Sequence, residues 1–256
     1  MNQKKWYLHR PMAHRGLHSH SGAAIVPENS LMAFELAVQH QLPMELDVRL
    51  SSDEIPMVFH DLELARMTGQ PGEFSCFSSQ SLRSKKLLES EQVIPSLADV
   101  FNLVQGKAPI LLELKADQPL DLLKASIPAM KSMILQYEKR FPGALALQSF
   151  HPLYVQQFFR EFPHIPRGLL LYDYHDAEMP GWEKFLARNN ILTPLMARID
   201  FLAVDQHYLN SSLVKFLSRF YPTISWTVRN KSERLKAEAI GARNIIFENL
   251  STLEMP

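Results

Sequence analysis

Three short clusters along the chain carry residues fit for chemistry: His14-Arg15, then Glu45-x-Asp47 with His60-Asp61 behind it, then Glu113-x-Lys115. The carboxylate pair and the Glu-Lys pair lie inside apolar stretches, M-E-L-D-V-R-L at 44–50 and P-I-L-L-E-L-K at 109–115, that read as buried strands. Side chains two apart on a strand share a face, so each strand delivers two charged groups to one place. Buried carboxylates are strongly disfavoured unless paired or metal-bound. Glu45, Asp47 and Glu113 together offer hard oxygen ligands for one divalent ion, Mg²⁺ or Ca²⁺, with water and substrate filling the other positions. Zinc fits less well, because His and Cys are not clustered at its ligand spacing. His14 and His60 each end a predicted strand and are followed at once by a charged residue. Barrel enzymes place catalytic groups at strand ends, and two imidazoles could run general acid and base steps near neutral pH. Arg15 and Lys115 beside the metal would supply further positive charge for a phosphate. The inventory is that of a metal-bound phosphate ester site.

Such a site needs a scaffold that brings several strand ends together. Apolar runs bounded by turn signals predict eight strands, near Pro11–His14, Met44–Leu50, Pro109–Lys115, Ala144–Phe150, Gly168–Tyr172, Phe201–Val204, Thr223–Val228 and Asn244–Phe247. Helical spacing lies between most of them. Ser30–Gln41, with Asn29 as its N-cap, Pro95–Val104, Leu120–Tyr137, Pro152–Glu161, Trp182–Asn189, Leu209–Phe220 and Lys231–Ile240 are expected helices. Strand–helix alternation of this kind predicts an α/β fold with a parallel sheet, and eight strands favour a (β/α)8 TIM barrel over an open sheet. No G-x-G-x-x-G follows the first strand, which weakens a dinucleotide-binding reading. Ile55–His60 reads as a further strand, too close to the second for a helical crossover and therefore a hairpin. From Asp61 to Val93 the chain is polar and irregular, so a short insertion after strand 2 is expected. A single domain over residues 1–256, with the insertion at about 51–93, is the predicted organisation.

Composition narrows the class further. The formal net charge of zero over 256 residues gives no global attraction to nucleic acid or to an anionic membrane. No stretch approaches the length of a membrane span, and no apolar segment follows the basic start, so stable membrane insertion is not expected. The single Cys76 rules out an intramolecular disulfide and fits a reducing compartment. A cytoplasmic enzyme with a small-molecule partner is the expectation.

Read in chain order, the motifs are A-H-R-G at 13–16, P-E-N-S at 27–30 followed by A-F at 33–34, E-L-D-V at 45–48, V-F-H-D at 58–61, R-M-T-G at 66–69, I-P-S-L at 94–97, L-E-L-K at 112–115, Q-S-F at 148–150 and W-T-V at 226–228. In this order, over nearly the whole chain, they resemble the glycerophosphodiester phosphodiesterases. The resemblance implies a TIM-type barrel that cleaves glycerophosphodiesters to sn-glycerol 3-phosphate and an alcohol. It implies metal ligation by Glu45, Asp47 and Glu113, acid/base work by His14 and His60, and phosphate binding by Arg15 and Lys115. It further implies that Glu28 and Asn29 support the first loop from behind the ligands, and that Trp226 lines the pocket. The chain departs from the family pattern in a longer loop at Leu17–Val26, in Ser30 for a commoner Thr, in Glu54 where Gly is frequent, and in I-I-F-E-N at 245–249 where a T-D pair is common. Glu248 stands as the substitute there. Direct hydrolysis and a route through a cyclic phosphate both remain open, as does the order in which the two His act. Two rival functions are a lysophospholipase D with an apolar rim built from Phe74, Phe77, Leu82, Leu87 and Leu88, and a barrel that binds a phosphorylated ligand without turning it over.

Overall fold

The computed structural model describes residues 3–19, 25–116, 120–173, 194–195 and 197–249. The chain forms two compact units, one built on Met12–Ala146 and one on Leu147–Pro256 together with Lys4–Pro11.

The first unit holds strands β1 (Met12–Ala13), β2 (Met44–Leu50), β3 (Pro56–Val58) and β4 (Ile110–Leu114). Its helices are α1 (Leu31–Gln39), α2 (Ala65–Thr68), α3 (Ser79–Leu82), α4 (Leu97–Val104) and α5 (Leu120–Arg140). β2 runs parallel to β1 and to β4, with Ala13 opposite Met44 and Asp47 opposite Glu113. Every residue of β2 is buried. Its apolar residues Leu46, Val48 and Leu50 alternate with Glu45, Asp47 and Arg49, so one face of the strand carries only charge. β3 returns antiparallel to β2 as the expected hairpin. The turn is closed by Ser51, whose Oγ accepts from the Ile55 N–H at 3.0 Å, and by Glu54 in the left-handed region at φ 59°. That conformation explains why glycine suits position 54.

Two expectations are corrected here. The N-cap of α1 is Ser30, whose Oγ accepts from Ala33 N–H at 3.1 Å. Asn29 sits one residue earlier at φ 55°, outside the extended conformation an N-cap requires, and its amide is used elsewhere. The segment 61–93 is not irregular throughout. It forms α2, a 3₁₀ turn at Phe74–Cys76 and α3, and it encloses an apolar core that includes Phe59, Leu64, Met67, Phe74 and Leu82. The polar residues that masked this pattern, such as Ser78, cap short helices.

The second unit contains the Leu147–Ser149 part of β5 (Leu145–Ser149), then α6 (Pro152–Glu161), β6 (Arg167–Leu171), β7 (Phe201–Asp205), α7 (Ser212–Leu217), β8 (Thr223–Val228), α8 (Lys231–Ile240) and β9 (Asn244–Phe247). β5 to β9 pair in sequence order, all parallel. Gly168 lets the sheet take the Phe201 ring, since a Cβ there would lie 2.1 Å from it. α7 is shorter than the predicted 209–220 because Ser211 caps its start, accepting from Val214 N–H. The predicted helix Trp182–Asn189 lies outside the described residues. The N-terminal 3₁₀ segment Gln3–Leu8 is tied down by Asn244, whose Nδ2 donates to the Tyr7 and Arg10 carbonyls at 2.8 Å each.

Among the described residues, eight parallel strands, most of them followed by a helix, with β3 as the antiparallel addition, are those of the α/β (β/α)8 barrel class. Among the described residues no helix is long and apolar enough to cross a membrane.

Candidate active site

The register of β2 against β4 brings the acids together. Asp47 and Glu113 are paired positions on adjacent parallel strands, and Glu45 lies two residues before Asp47 on the same face. One carboxylate oxygen from each of the three lies within 4.8 Å of the others, all in buried surroundings. A hard divalent ion holds its oxygens at about 2.0–2.6 Å, so three oxygens this close fit within one coordination sphere. Lys115, just past the end of β4, enters the same cluster: its Nζ lies 2.9 Å from Asp47 Oδ1 and 2.6 Å from Glu113 Oε1.

Electrostatics follow from this crowding. Burial, together with the Asp47 and Glu113 charges, pushes Glu45 well above the usual carboxylate range. Burial also raises Glu113, against the pull of Lys115. Burial would raise Asp47 too, but Lys115, His60, Arg15 and His14 together hold it well below its ordinary value. Lys115 would be lowered by burial, yet Asp47 and Glu113 keep it above its ordinary value. Three carboxylates with this mutual repulsion form a cluster that a cation relieves.

The strand end after β1 supplies His14, Arg15 and Gly16. Arg15 takes φ 52° and Gly16 φ 78°, which turns the chain sharply so that Arg15 N–H donates to Glu45 Oε2 at 3.0 Å. Gly16 is required, because a Cβ there would lie 2.8 Å from the Ala33 Cβ on α1. The Arg15 guanidinium donates through Nη1 to Glu28 Oε1 at 2.7 Å, and its Nε lies 3.3 Å from Asp47 Oδ2. Burial would lower Arg15, but Asp47, Glu28 and Glu45 outweigh it and raise it. Asn29 reaches the acids directly: its Nδ2 donates to Asp47 Oδ2 at 2.8 Å, and its Oδ1 accepts from Asp47 N–H at 3.3 Å. His14 is half-buried, and its charge is felt at Asp47.

His60 follows β3. Its Nδ1 lies 2.6 Å from Asp61 Oδ1, and Asp61 is gripped in turn by Arg66. Arg66 also bridges to Glu28, which burial alone would raise but which the Arg66 and Arg15 partners bring down to about 2. Thus His14, Arg15, Glu28, Asn29, Glu45, Asp47, His60, Glu113 and Lys115 all belong to the first unit.

Two residues here, Arg49 and Arg66, escaped the sequence reading as parts of the site. Arg49 donates through Nε and Nη2 to the His60 carbonyl at 2.9 and 2.7 Å. Its signal was present, since 45, 47 and 49 continue one strand face. Arg66 stood inside a quoted motif, but no spacing rule ties it to Asp61 or to Glu28.

Trp226 lies in the second unit, on β8. Its ring meets Phe150 edge-on at 5.7 Å, and Phe150 meets Tyr172 likewise at 5.4 Å. Among the described residues its buried Nε1 finds no hydrogen-bond partner. Glu248, also in the second unit, accepts from Arg229 Nε at 2.7 Å.

The model of the glycerophosphoryl diester phosphodiesterase family matches residues 14–252. By sequence, the chain is similar to Bacillus subtilis (strain 168) YhdW, which carries a provisional glycerophosphodiester phosphodiesterase name: 27% identity over 251 residues, 93% of either chain. It is similar also to a glycerophosphodiester phosphodiesterase of Caldanaerobacter subterraneus subsp. tengcongensis, with 25% identity over 255 residues, 94% of this chain and 95% of that one. By structure, it resembles an Oleispira antarctica phosphodiesterase solved in complex with the product sn-glycerol-3-phosphate. There the TM-score is 0.73 and the identity 24%, covering 95% of this chain and 94% of the other. The structural likeness establishes a common fold.

Proposed function

Since the chain belongs to the glycerophosphoryl diester phosphodiesterase family and is a phosphoric diester hydrolase, we propose that it cleaves glycerophosphodiesters to sn-glycerol 3-phosphate and an alcohol at a divalent cation held by Glu45, Asp47 and Glu113. The observation that carries this is the buried triad of carboxylate oxygens within 4.8 Å of one another, flanked by Arg15, Lys115 and an Asp-linked His60. A Mg²⁺ or Ca²⁺ ion suits an all-oxygen donor set. When bound, such an ion supplies Lewis-acid polarisation of a phosphoryl oxygen.

The chain's own residues do the rest. Arg15 and Lys115 bring positive charge toward the non-bridging oxygens of the phosphodiester, where charge grows in the transition state. Asp61 accepts from His60 Nδ1–H, which leaves Nε2 as the atom that takes up or gives a proton. His14 is its counterpart. One imidazole removes the proton of the attacking oxygen, the P–O bond to the alcohol breaks, and the other imidazole protonates the departing oxygen. Glu28 and Asn29 act on this machinery from behind, Glu28 through Arg15 and Asn29 through Asp47.

The lysophospholipase D alternative needs an apolar rim from the insertion. Phe74, Leu82 and Leu87 instead face that segment's own core and are almost fully buried, with Phe77 and Leu88 packed against it. This favours small water-soluble substrates. We place the enzyme in the cytoplasm, a reading that the single thiol Cys76 supports.

The test is a coupled assay for glycerol 3-phosphate release from glycerophosphocholine, with lysophosphatidylcholine alongside, with and without chelator. Release is expected to stop with chelator, and His14→Ala and His60→Ala to lose roughly 10²–10⁴-fold in turnover. Full metal-dependent activity in either His variant would sink the acid/base assignment. Activity that survives thorough chelation would sink the metal.

A further inference from the structure

Arg66 stands between two parts of the site that must stay in register. Toward His60, its Nε donates to Asp61 Oδ2 at 2.6 Å and its Nη2 to Asp61 Oδ1 at 3.0 Å. That same Oδ1 holds His60 Nδ1. Toward the first loop, Nη2 donates to Glu28 Oε1 at 2.6 Å and Nη1 to Glu28 Oε2 at 3.2 Å. Glu28 Oε1 is also the acceptor for Arg15 Nη1. One planar guanidinium therefore forks onto two carboxylates, a geometry that the point charge of a lysine cannot reproduce. The two ends differ in freedom. The Glu28 side chain is 6% exposed and fixed by its partners, while that of Asp61 is 19% exposed. The main chain of His60 is fixed separately, by the Arg49 fork on its carbonyl. What Arg49 leaves unfixed is the angle of the imidazole ring, and that angle depends on where Asp61 is held.

Resting on the proton-transfer role proposed for His60, we propose that Arg66 is a positioning residue for the reaction: it clamps Asp61 to the buried Glu28 and so fixes the His60 ring relative to the Arg15 guanidinium. The hydrogen bonds of Arg66 go to Asp61 and Glu28 and not to the carboxylate triad. Its effect belongs in turnover, where ring placement counts, and not in ground-state binding. Misplacement of a reacting group by about 1 Å costs on the order of 10²-fold in rate.

The experiment is steady-state kinetics on glycerophosphocholine for the wild type, Arg66→Met, Arg66→Lys, Asp61→Asn, the Asp61→Asn/Arg66→Met double variant and His60→Ala. Arg66→Met is expected to lower kcat by about 10- to 100-fold with KM changed by less than about threefold. Arg66→Lys should fall between it and the wild type. In the Asp61→Asn background the Arg66→Met step should cost less than about threefold, because the two residues act as one unit. Wild-type kcat in Arg66→Met with His60→Ala inactive would overturn the clamp alone. So would an Arg66→Met effect that is undiminished in the Asp61→Asn background, or one that falls entirely on KM. Full activity in His60→Ala would instead overturn the His60 reading on which the clamp rests. If Arg66→Met does not fold, Arg66→Lys carries the same comparison: a reduced kcat at unchanged KM supports the clamp, and a wild-type kcat overturns it.

Discussion

Replacing Lys115 with methionine takes a cation out of the buried carboxylate cluster while nearly preserving side-chain volume. In the native chain Nζ sits 2.9 Å from Asp47 Oδ1 and 2.6 Å from Glu113 Oε1, with all three residues buried. Removing one partner of a buried ion pair leaves the other charge uncompensated, at a cost of about 3–5 kcal/mol. For a chain of this size that lowers Tm by roughly 6–20 °C. The cost depends on pH with a definite sign. Glu113 is raised by burial even with Lys115 present, and it rises further without it. A carboxyl whose folded pKa exceeds its unfolded one binds more protons in the native state, so its contribution to stability falls as pH rises through that window. The variant should therefore lose more at pH 8 than at pH 5. A divalent ion at the proposed site would replace the missing charge and would stabilise by about 2.7 kcal/mol at a hundred times its Kd. Thermal melts of both proteins in chelator, Mg²⁺ and Ca²⁺ read this directly. Lys115→Met should melt well below wild type in chelator and recover more than wild type when the ion is added. Equal melting of the two proteins in chelator at pH 8, or an ion that stabilises only the wild type, would refute the reasoning.

Two more perturbations follow from the first loop. Gly16→Ala forces a Cβ to 2.8 Å from that of Ala33 at φ 78°, and should cost about 2–4 kcal/mol in urea denaturation through left-handed strain and overpacking together; an unchanged midpoint would count against the close approach. Glu28 is brought from 4.5 to about 2 by its arginine partners, so it contributes about 3 kcal/mol above pH 4.5 that is lost as pH falls through about 2. Urea melts of Glu28→Gln should accordingly differ from wild type by that amount at pH 7 and converge with it near pH 2, and a pH-independent gap would contradict this.

Most of the strands were legible because their signal is local. Burial and the two-residue period appear in any window of seven residues, and M-E-L-D-V-R-L displays both. The charged triad was legible for the same reason, since a carboxylate in such a run demands a partner. What could not be read were contacts that depend on loop conformation. Asn29 looks like a helix cap by residue type, and only its positive φ frees its amide for Asp47. Glu28 and Arg66 are 38 residues apart, and their pairing depends on a loop path that no periodicity encodes. In the insertion, serines and glycines hid a folded apolar core, because short capped helices have too few turns to show a period. Arg49 was readable in principle, as the next residue on the charged face of β2.

The strict alternation along β2 bears on folding fidelity as much as on chemistry. A parallel strand with two buried faces has little to prevent a one-residue slip against its neighbour when every side chain is apolar. In β2 such a slip would carry Glu45, Asp47 and Arg49 over to the side now held by Leu46, Val48 and Leu50, and would leave three strongly polar groups without partners in an apolar layer. The same charged face of β2 thus penalises a register slip. A variant whose β2 carboxylates were both exchanged for leucine would lose the charge pattern that distinguishes the two faces and, with it, the proofreading of the strand's register.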